Sequence, residues 1–260
     1  MKKAILALFA SLSLLLTSCG SQFNALRAVQ GGMYALQALT LTDAQVQDYV
    51  HQYITQLDAQ STVMPESNSY TKRLRNLTKG ITDVDGIPLN FKVYKENEVN
   101  AFACADGSVR VYTGIMDAMT DNELLGVIGH EIGHVALKHT RKQMQQAMMT
   151  SAALEGIASA SSTAATLTDS QLGALGEAII GAQFSKSQES QADDYGYSFL
   201  VNSGKNPWAI VMSFEKLQAL ASGATAGPVE NLFSTHPDTA TRIQRMTEKC
   251  VHDGYKRPTK

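Results

Sequence analysis

Two histidines and one glutamate have the types and the spacing of a metal-dependent hydrolytic site. His130 and His134 are four residues apart. On a helix their imidazoles are therefore separated by only roughly 40° around the axis, one turn apart, and can bind one ion. Glu131 lies to one side of that pair and is suited to take a proton from water. The alternative interpretation is a pair of incidental helix histidines.

The residues around this motif favour a long, buried helix. Thr120 followed by Glu123 has the spacing of a capping box, which starts helices. The apolar residues that follow have helical spacing and give a wide buried face; they are Leu124, Leu125, Val127, Ile128, Ile132, Val135 and Ala136. The motif is therefore predicted to lie inside a helix, as its chemistry requires.

A catalytic zinc site needs a third protein ligand and keeps one position for water. His139 is five residues after His134, roughly 140° further around a continuous helix, and is predicted to face elsewhere. A metzincin site would need glycine at position 137 and histidine at position 140. The chain has Leu137 and Thr140 there, which excludes that class.

The favoured third ligand is Glu189, in a predicted helix that also carries Asp193. Four residues apart, the two carboxylates share a helix face. One of them can bind the metal while the other accepts a hydrogen bond from a ligand imidazole and fixes its tautomer. The alternative is a solvated acidic helix face.

Residues 89–112 change from helical spacing to the alternation typical of short strands. Asp106 and Gly107 lie between two such runs and indicate a hairpin. A small antiparallel sheet is therefore predicted directly before the motif helix. Because a sheet edge can bind an extended peptide as an added strand, a substrate edge strand is predicted at Asn100, Ala101 and Phe102.

The predicted fold class is α+β and mostly α, with the H-E-x-x-H helix, the helix of Glu189 and the small sheet in one domain over residues 41–260. Helices are also predicted after Thr42 and from about Ser69 to Lys79. A hydrophobic content of 44% is sufficient for a sizeable core.

The first forty residues have the pattern of an export signal and a tether. Residues 1–18 combine two lysines with an apolar run of a length that suits a signal peptide and is short for a bilayer span. The sequence ending in Cys19 resembles the lipobox of bacterial lipoproteins, which implies lipidation of Cys19 and a tether over residues 19–40. Gly20 favours the periplasmic face of the outer membrane. A plain signal peptide is the alternative.

Charge and cysteine content limit the partners. The formal net charge is −2 and no basic block occurs, so nucleic acid is not expected as a partner. Export to an oxidising compartment makes a disulfide between Cys104 and Cys250 possible.

Three motifs together resemble the zinc metalloendopeptidases related to the CAAX prenyl protease and the heat-shock protease HtpX, and among them the periplasmic lipoprotein members. They are H-E-x-G-H at 130–134, F-S-x-x-x-E-x-x-A-D at 184–193 and H-P-x-x-x-x-R at 236–242. The resemblance implies a zincin-type peptidase with one Zn²⁺ per chain, held by His130, His134 and Glu189. It also implies Glu131 as base and proton shuttle, and Asp193 as hydrogen-bond partner of a ligand.

The same resemblance makes His236 and Arg242 candidate catalytic residues. His236 is expected to stabilise the oxyanion or to cap the zinc in a latent state, with Arg242 ordering its loop; a merely packed loop histidine stays open. The chain departs from the common family wording at Lys186 and Gln191, where arginine and glutamate are usual. Ion pairing near Glu189 is expected to be weaker for that reason.

The expected partners are polypeptides, chiefly unfolded or misassembled periplasmic and outer-membrane proteins, and the membrane through the lipid on Cys19. One rival is a chaperone-like assembly factor that holds outer-membrane polypeptides with little proteolysis. A second is a structural metal site, which would need four firm protein ligands. The presence of Glu131 favours the enzyme.

Overall fold

The computed structural model describes residues 41–150, 166–181, 183–222, 232, 235–237 and 239–259. The predicted signal peptide, Cys19 and the tether lie outside these residues. The described elements are helices α1 (Asp43–Gln60) and α2 (Ser69–Leu77), strands β1 (Asp83–Val84), β2 (Ile87–Pro88), β3 (Asn90–Tyr94), β4 (Ala101–Ala103) and β5 (Ser108–Tyr112), and helices α3 (Thr113–Ala118), α4 (Asp121–Ala136), α5 (His139–Thr150), α6 (Asp169–Ile180), α7 (Lys186–Asn202), α8 (Trp208–Ser222) and α9 (Thr239–His252). The mostly helical α+β class is confirmed.

The main sheet has three strands in the order β3-β5-β4. Strands β4 and β5 form the predicted antiparallel hairpin, whose turn ends at Gly107 with φ of +84°. Strand β3 pairs parallel to β5 in the register Asn90 to Ser108. The sheet is therefore mixed, and the prediction of a purely antiparallel sheet is corrected; β1 and β2 form a separate antiparallel pair.

The two faces of this sheet pack against different helices. Val93, Val109 and Val111 belong to a core cluster shared with helices α4, α7, α8 and α9. Tyr94 and Phe102, which point to the opposite face because side chains alternate along a strand, belong to a second cluster with α1, α5 and α6. The sheet is thus the middle layer between two sets of helices.

Cys104 and Cys250 are in different layers. Cys104 belongs to the cluster with α1, and Cys250 belongs to the cluster with α4. Both are buried free thiols. The possible disulfide between them is therefore not formed, because the sheet separates them.

Helix α4 crosses α7 at unusually short range, and glycine permits it. A Cβ on Gly133 would lie 2.5 Å from the carbonyl oxygen of Ala192, and one on Gly196 would lie 2.7 Å from that of Gly129. Such separations are sterically forbidden, so only glycine lets the two helix backbones meet here. This crossing brings the H-E-x-x-H residues of α4 beside the carboxylates of α7.

Among the described helices, none combines the length and the apolar character that a membrane crossing requires.

Candidate metal centre

Helix α4 presents the motif to the interior. The capping box is formed as predicted, with Thr120 accepting from the backbone of Glu123 and the Glu123 carboxylate accepting from the backbone of Thr120. All residues from 123 to 135 are buried, which is typical of a helix surrounded by other elements. His130, Glu131 and His134 are consequently held in the core, 3%, 4% and 1% exposed.

Three side chains converge on one point. His130 Nε2 lies 3.0 Å from His134 Nε2, and Glu189 oxygens lie 3.3 Å from His134 Nε2 and 3.6 Å from His130 Nε2. Ligands bound at 2.0–2.1 Å to one tetrahedral ion are about 3.3 Å apart. The spacing of these nitrogen and oxygen atoms therefore fits a single shared metal ion. The position between His130 Nε2, His134 Nε2 and the Glu189 carboxylate is called the metal point.

Helix α7 supplies the carboxylate. Its capping box is formed by Ser185 and Gln188, which begins the helix one turn before Glu189. Glu189 is fully buried and also contacts the guanidinium of Arg242. Burial opposes ionisation of Glu189, but the neighbouring His236 and His130 hold the pKa of its carboxyl well below the usual range. The group is therefore a carboxylate, the form that binds metal.

Asp193, one turn further along α7, contacts the imidazole of His130. His130 Nδ1 lies 2.8 Å from Asp193 Oδ1, so the imidazole donates there and leaves Nε2 with its lone pair toward the shared point. Arg242 donates to both oxygens of Asp193, at 2.9 Å and 2.7 Å. Although burial raises the pKa of Asp193, these hydrogen bonds outweigh it and keep the carboxyl ionised.

Arg242 lies beside the two carboxylates of α7. Its guanidinium binds Asp193 and Glu189 and lies over the ring of Phe214, 4.1 Å from the centroid. The guanidinium also lies 3.1 Å from His130 Nδ1. That Arg242 orders the His236 loop stays a prediction, because residues 233, 234 and 238 lie outside the described part of the chain. Arg242 balances two buried negative charges beside the metal point.

His139 does not face away from the site. It is 1% exposed, and its Nδ1 lies 3.0 Å from His134 Nδ1. The prediction assumed a continuous helix, but α4 ends at Ala136, and Lys138 turns the chain with φ of +57° before α5 begins. His139 therefore approaches His134 from the side opposite the metal point, which still leaves it outside the ligand set.

His236 lies at the fourth corner of the cluster. His130, His134, Glu189 and His236 each place a ligand atom within 4.8 Å of all the others. His236 Nδ1 lies 3.1 Å from a Glu189 oxygen, while its Nε2 lies 3.5 Å from Glu131 Oε1. One imidazole thus contacts both the ligand cluster and the predicted base.

Glu131 has a buried oxygen without a hydrogen-bond donor among the described residues. An unpaired buried carboxylate oxygen is costly unless a further donor occupies the site. Oε1 of Glu131 faces the cluster side, toward His236. A water molecule beside the metal point would supply the missing donor, which fits a hydrolytic centre better than a closed structural one.

Two cavities open beside Glu131 and His236. A cleft between the β4 edge and the end of α6 is lined by both of these residues. A second, mainly apolar cavity is also lined by both, together with Val127, Phe214 and Leu217. The predicted edge strand lines the cleft, whose other walls come from α6 and the α7 entry: Asn100, Ala101, Phe102, Ala103, Ile179, Ile180 and Phe184.

Phe184 received no individual role from the sequence. Its ring stacks on the His134 imidazole with centroids 3.8 Å apart, and its backbone donates to Thr235. The aromatic position immediately before the Ser185 cap was visible in the motif at 184–193. Nothing in the local sequence indicated which histidine it contacts, because that pairing is made between distant segments.

Comparison with known proteins agrees with this geometry. The model of Peptidase family M48 matches residues 68–249. Metalloprotease LoiP of Escherichia coli is 41% identical, covering 98% of this chain and 100% of that protein. Metalloprotease YcaL of the same organism is 38% identical over 96% of this chain and 97% of its own length. A putative beta-barrel assembly-enhancing protease of Vibrio cholerae is 27% identical, with 45% of its length covered.

The family match includes every residue of the converging cluster, from the two histidines of α4 through Glu189 to His236. A buried cluster of candidate ligands with an ionised carboxylate, next to a glutamate oxygen that has no hydrogen-bond donor among the described residues, suits a metal-dependent peptidase. The chain is therefore a metallopeptidase of family M48.

Proposed function

We propose that the chain is a zinc-dependent endopeptidase in which His130, His134 and Glu189 bind the ion and Glu131 is the catalytic base. The observation that carries this proposal is the buried Oε1 of Glu131, which lies beside the cluster and accepts no hydrogen bond from any of the described residues. A purely structural metal site has no use for such a group. The substrates are polypeptides, whose peptide bonds the enzyme hydrolyses.

Zinc suits the site because it prefers few ligands of nitrogen and oxygen type in tetrahedral geometry. When bound, it supplies Lewis-acid polarisation of a peptide carbonyl and makes water more acidic. Burial lowers the pKa of His134 well below its ordinary value, so this imidazole stays neutral and has a lone pair to offer. One ion per chain is expected.

Glu131 moves the proton. Its Oε1 accepts a proton from the attacking water, and the same carboxyl group then returns that proton to the leaving amine. The buried position, 4% exposed, excludes bulk water that would otherwise solvate the carboxylate. Both proton transfers use the carboxylate of Glu131. A glutamine at this position can perform neither transfer, because its amide does not take up the proton.

His236 has two roles compatible with its position. It is placed to stabilise the oxyanion that forms on the scissile carbonyl, or to cap the ion through Nδ1 in a latent state. Its contact with both Glu189 and Glu131 supports either role. Arg242 is a positioning residue that holds Asp193 and Glu189 in place.

Substrate binding is proposed along strand β4. This strand is at an edge of the sheet and lines the cleft that also contains Glu131. A peptide added there would be held by backbone hydrogen bonds, with little regard for side-chain identity. Unfolded chains satisfy that requirement, since their backbone groups are free.

The cellular setting is proposed from the first forty residues and from the relatives. An export signal over residues 1–18 and lipidation of Cys19 would attach the enzyme to the periplasmic face of the outer membrane. The name of the Vibrio cholerae relative refers to beta-barrel assembly. We propose unfolded or misassembled envelope proteins as substrates, and thus a role in envelope quality control.

Replacement of Glu131 by glutamine tests the enzymatic role. E131Q keeps the shape of the side chain, so the protein should fold and bind zinc as the wild type does. Cleavage of a casein-like unfolded substrate should fall by at least about 10²–10⁴-fold, the typical contribution of a general base. E248Q, at an exposed position on α9, is the matched control and should retain activity.

Activity of E131Q close to that of wild type would contradict the assignment of the base. The same variant separates the rival function. If E131Q complements a deletion strain as well as the wild type does, the main activity is to hold polypeptides rather than to cleave them. If it does not, proteolysis is required.

A further inference from the structure

The second nitrogen of His134, the one that does not face the metal point, is not left to solvent. His134 Nδ1 lies 3.0 Å from His139 Nδ1, and His139 Nε2 lies 3.2 Å from Gln191 Oε1. His139 is 1% exposed, whereas Gln191 lies on the exposed side of α7. Two successive contacts thus connect His134, a proposed ligand on α4, to the side-chain amide of Gln191 on α7.

The hydrogens on the imidazole nitrogens of His134 and His139 have one consistent arrangement. A neutral His134 that offers Nε2 to the metal carries its hydrogen on Nδ1. Nδ1 of His139 must then accept that hydrogen, so the hydrogen of His139 is on Nε2. His139 Nε2 in turn donates to the carbonyl oxygen of the Gln191 amide, in the orientation the structure has.

We propose that His139 and Gln191 are positioning residues for the metal centre, which fix the tautomer and the ring orientation of His134. The inference rests on the proposed function, because it takes His134 as a ligand. It adds to that function a hydrogen-bond relay through a neutral imidazole and a neutral amide. The relay is distinct from the charged partner Asp193, which orients His130.

The surroundings of His134 support a positioning role. Phe184 stacks on one face of its imidazole, and His139 meets its edge with centroids 5.0 Å apart. The turn at Lys138, with φ of +57°, brings His139 back toward His134 instead of continuing the helix. The ring orientation is thereby fixed from two directions, which is what a metal ligand requires.

The relay predicts different effects for two replacements of Gln191. Gln191 accepts from His139 as a neutral group, so replacement by glutamate keeps an acceptor at the same place. Replacement by leucine removes the acceptor but retains a side chain of similar size. Since Gln191 is exposed, neither change disturbs the core.

The test is the zinc affinity of the full chain, measured by competition with a chromophoric chelator, together with the visible spectrum of the cobalt-substituted protein. H139F should bind zinc about 10–100-fold more weakly, and Q191L about 10-fold more weakly, as partners of metal ligands typically do. Q191E should bind at least as tightly as wild type. Q244L removes an exposed amide on α9 and should have no effect.

The cobalt bands should shift in H139F and Q191L and stay in place in Q191E and Q244L. Wild-type affinity and an unchanged spectrum in Q191L would overturn the relay, even if H139F failed to fold. An equal loss in Q191L and Q191E would overturn it too, because the acceptor would then be irrelevant. Failure of the wild type to bind zinc would instead contradict the proposed function itself.

Discussion

Asp193 and Asp194 are neighbours in sequence with opposite environments. The Asp193 side chain is fully buried between His130 and Arg242, whereas that of Asp194 is 46% exposed and binds Arg245 and Lys249 at the surface. A buried carboxylate that orients a ligand contributes to metal binding, but exposed ion pairs contribute little. The pair is therefore a natural comparison of two acids.

Replacement of Asp193 by asparagine should weaken zinc binding about 10–100-fold, because His130 loses its charged acceptor and Arg242 loses its bidentate partner. D194N should change the zinc affinity by less than about twofold and the free energy of unfolding by less than about 0.5 kcal/mol. Chelator competition and urea unfolding measure the two quantities. Equal effects of D193N and D194N would show that Asp193 has no special relation to the metal.

The clustering of the candidate ligands could be anticipated from the sequence because the H-E-x-x-H spacing and the i, i+4 pair on α7 are local helix geometry. The partners of those ligands were less predictable. Asp193 shares the helix of Glu189 and was found, but the contact between His134 and His139 depends on where α4 ends. No glycine marks that end, and a non-glycine residue, Lys138, adopts the positive φ.

At the scale of elements, the close crossing of α4 and α7 sets the distance between the histidines and Glu189. Gly133 is the residue of the motif that makes this approach possible, since its position faces the carbonyl oxygen of Ala192. Any side chain there would separate the helices. Gly133 therefore has a packing role, in addition to lying between the two histidines of the motif.

Replacement of Gly133 by alanine should separate α4 from α7, lower the free energy of unfolding by about 1–3 kcal/mol and reduce zinc affinity. Gly173 on α6 is the control, because a Cβ there meets nothing within 4 Å. G173A should be neutral or stabilising by up to about 1 kcal/mol, as alanine is the better helix former. A G133A protein with unchanged zinc affinity would contradict the role of this crossing.

The sheet shows where element prediction stopped. Alternation along the chain located β3 and β5, and the Asp106-Gly107 pair located the hairpin. The parallel pairing of β3 with β5 had no local signal, because alternation is the same for both directions of pairing. The parallel direction is visible only in the register of the two strands, Asn90 with Ser108 to Tyr94 with Tyr112.

At the scale of the whole molecule, helix α1 is attached to the sheet by a buried ion pair. Asp58 accepts from Arg110 through both guanidinium nitrogens Nε and Nη2, at 2.9 Å and 3.0 Å, and also from Lys92. The Arg110 side chain is 2% exposed and that of Asp58 is 16% exposed. Burial opposes the ionisation of Asp58, yet these donors hold the pKa of its carboxyl below the ordinary value.

Replacement of Asp58 by asparagine should lower the free energy of unfolding by about 3 kcal/mol near neutral pH, since Arg110 is then buried without its counter-charge. The folded pKa is depressed, so the stabilisation by Asp58 is present above the unfolded value of about 3.9 and is lost as the pH falls through the folded value. The difference between wild type and D58N should therefore shrink on acidification.

Urea unfolding at neutral and acidic pH measures this difference, with chelator in all samples so that metal release contributes equally. D48N, at an exposed position on the same helix, is the control and should match the wild type at each pH. A difference between wild type and D58N that grows on acidification would contradict the assigned pairing.

The two-layer core also explains why Cys104 and Cys250, whose pairing the sequence left open, are free thiols. Spacing along the chain does not report which face of a sheet a residue reaches, and Cys104 and Cys250 reach opposite faces. The mostly helical class, in contrast, followed from capping boxes and apolar spacing, which are local. Long-range arrangement was thus the part that the sequence alone did not determine.

The central claim is that two imidazoles of α4 and one carboxylate of α7 bind one zinc ion. The most direct measurement is the zinc content of the purified full chain, compared with that of the E189A variant, after both are exposed to the same zinc concentration and desalted. The account predicts one zinc per wild-type chain and a loss of it in E189A. Wild-type protein without zinc, or E189A with a full equivalent, would contradict the account.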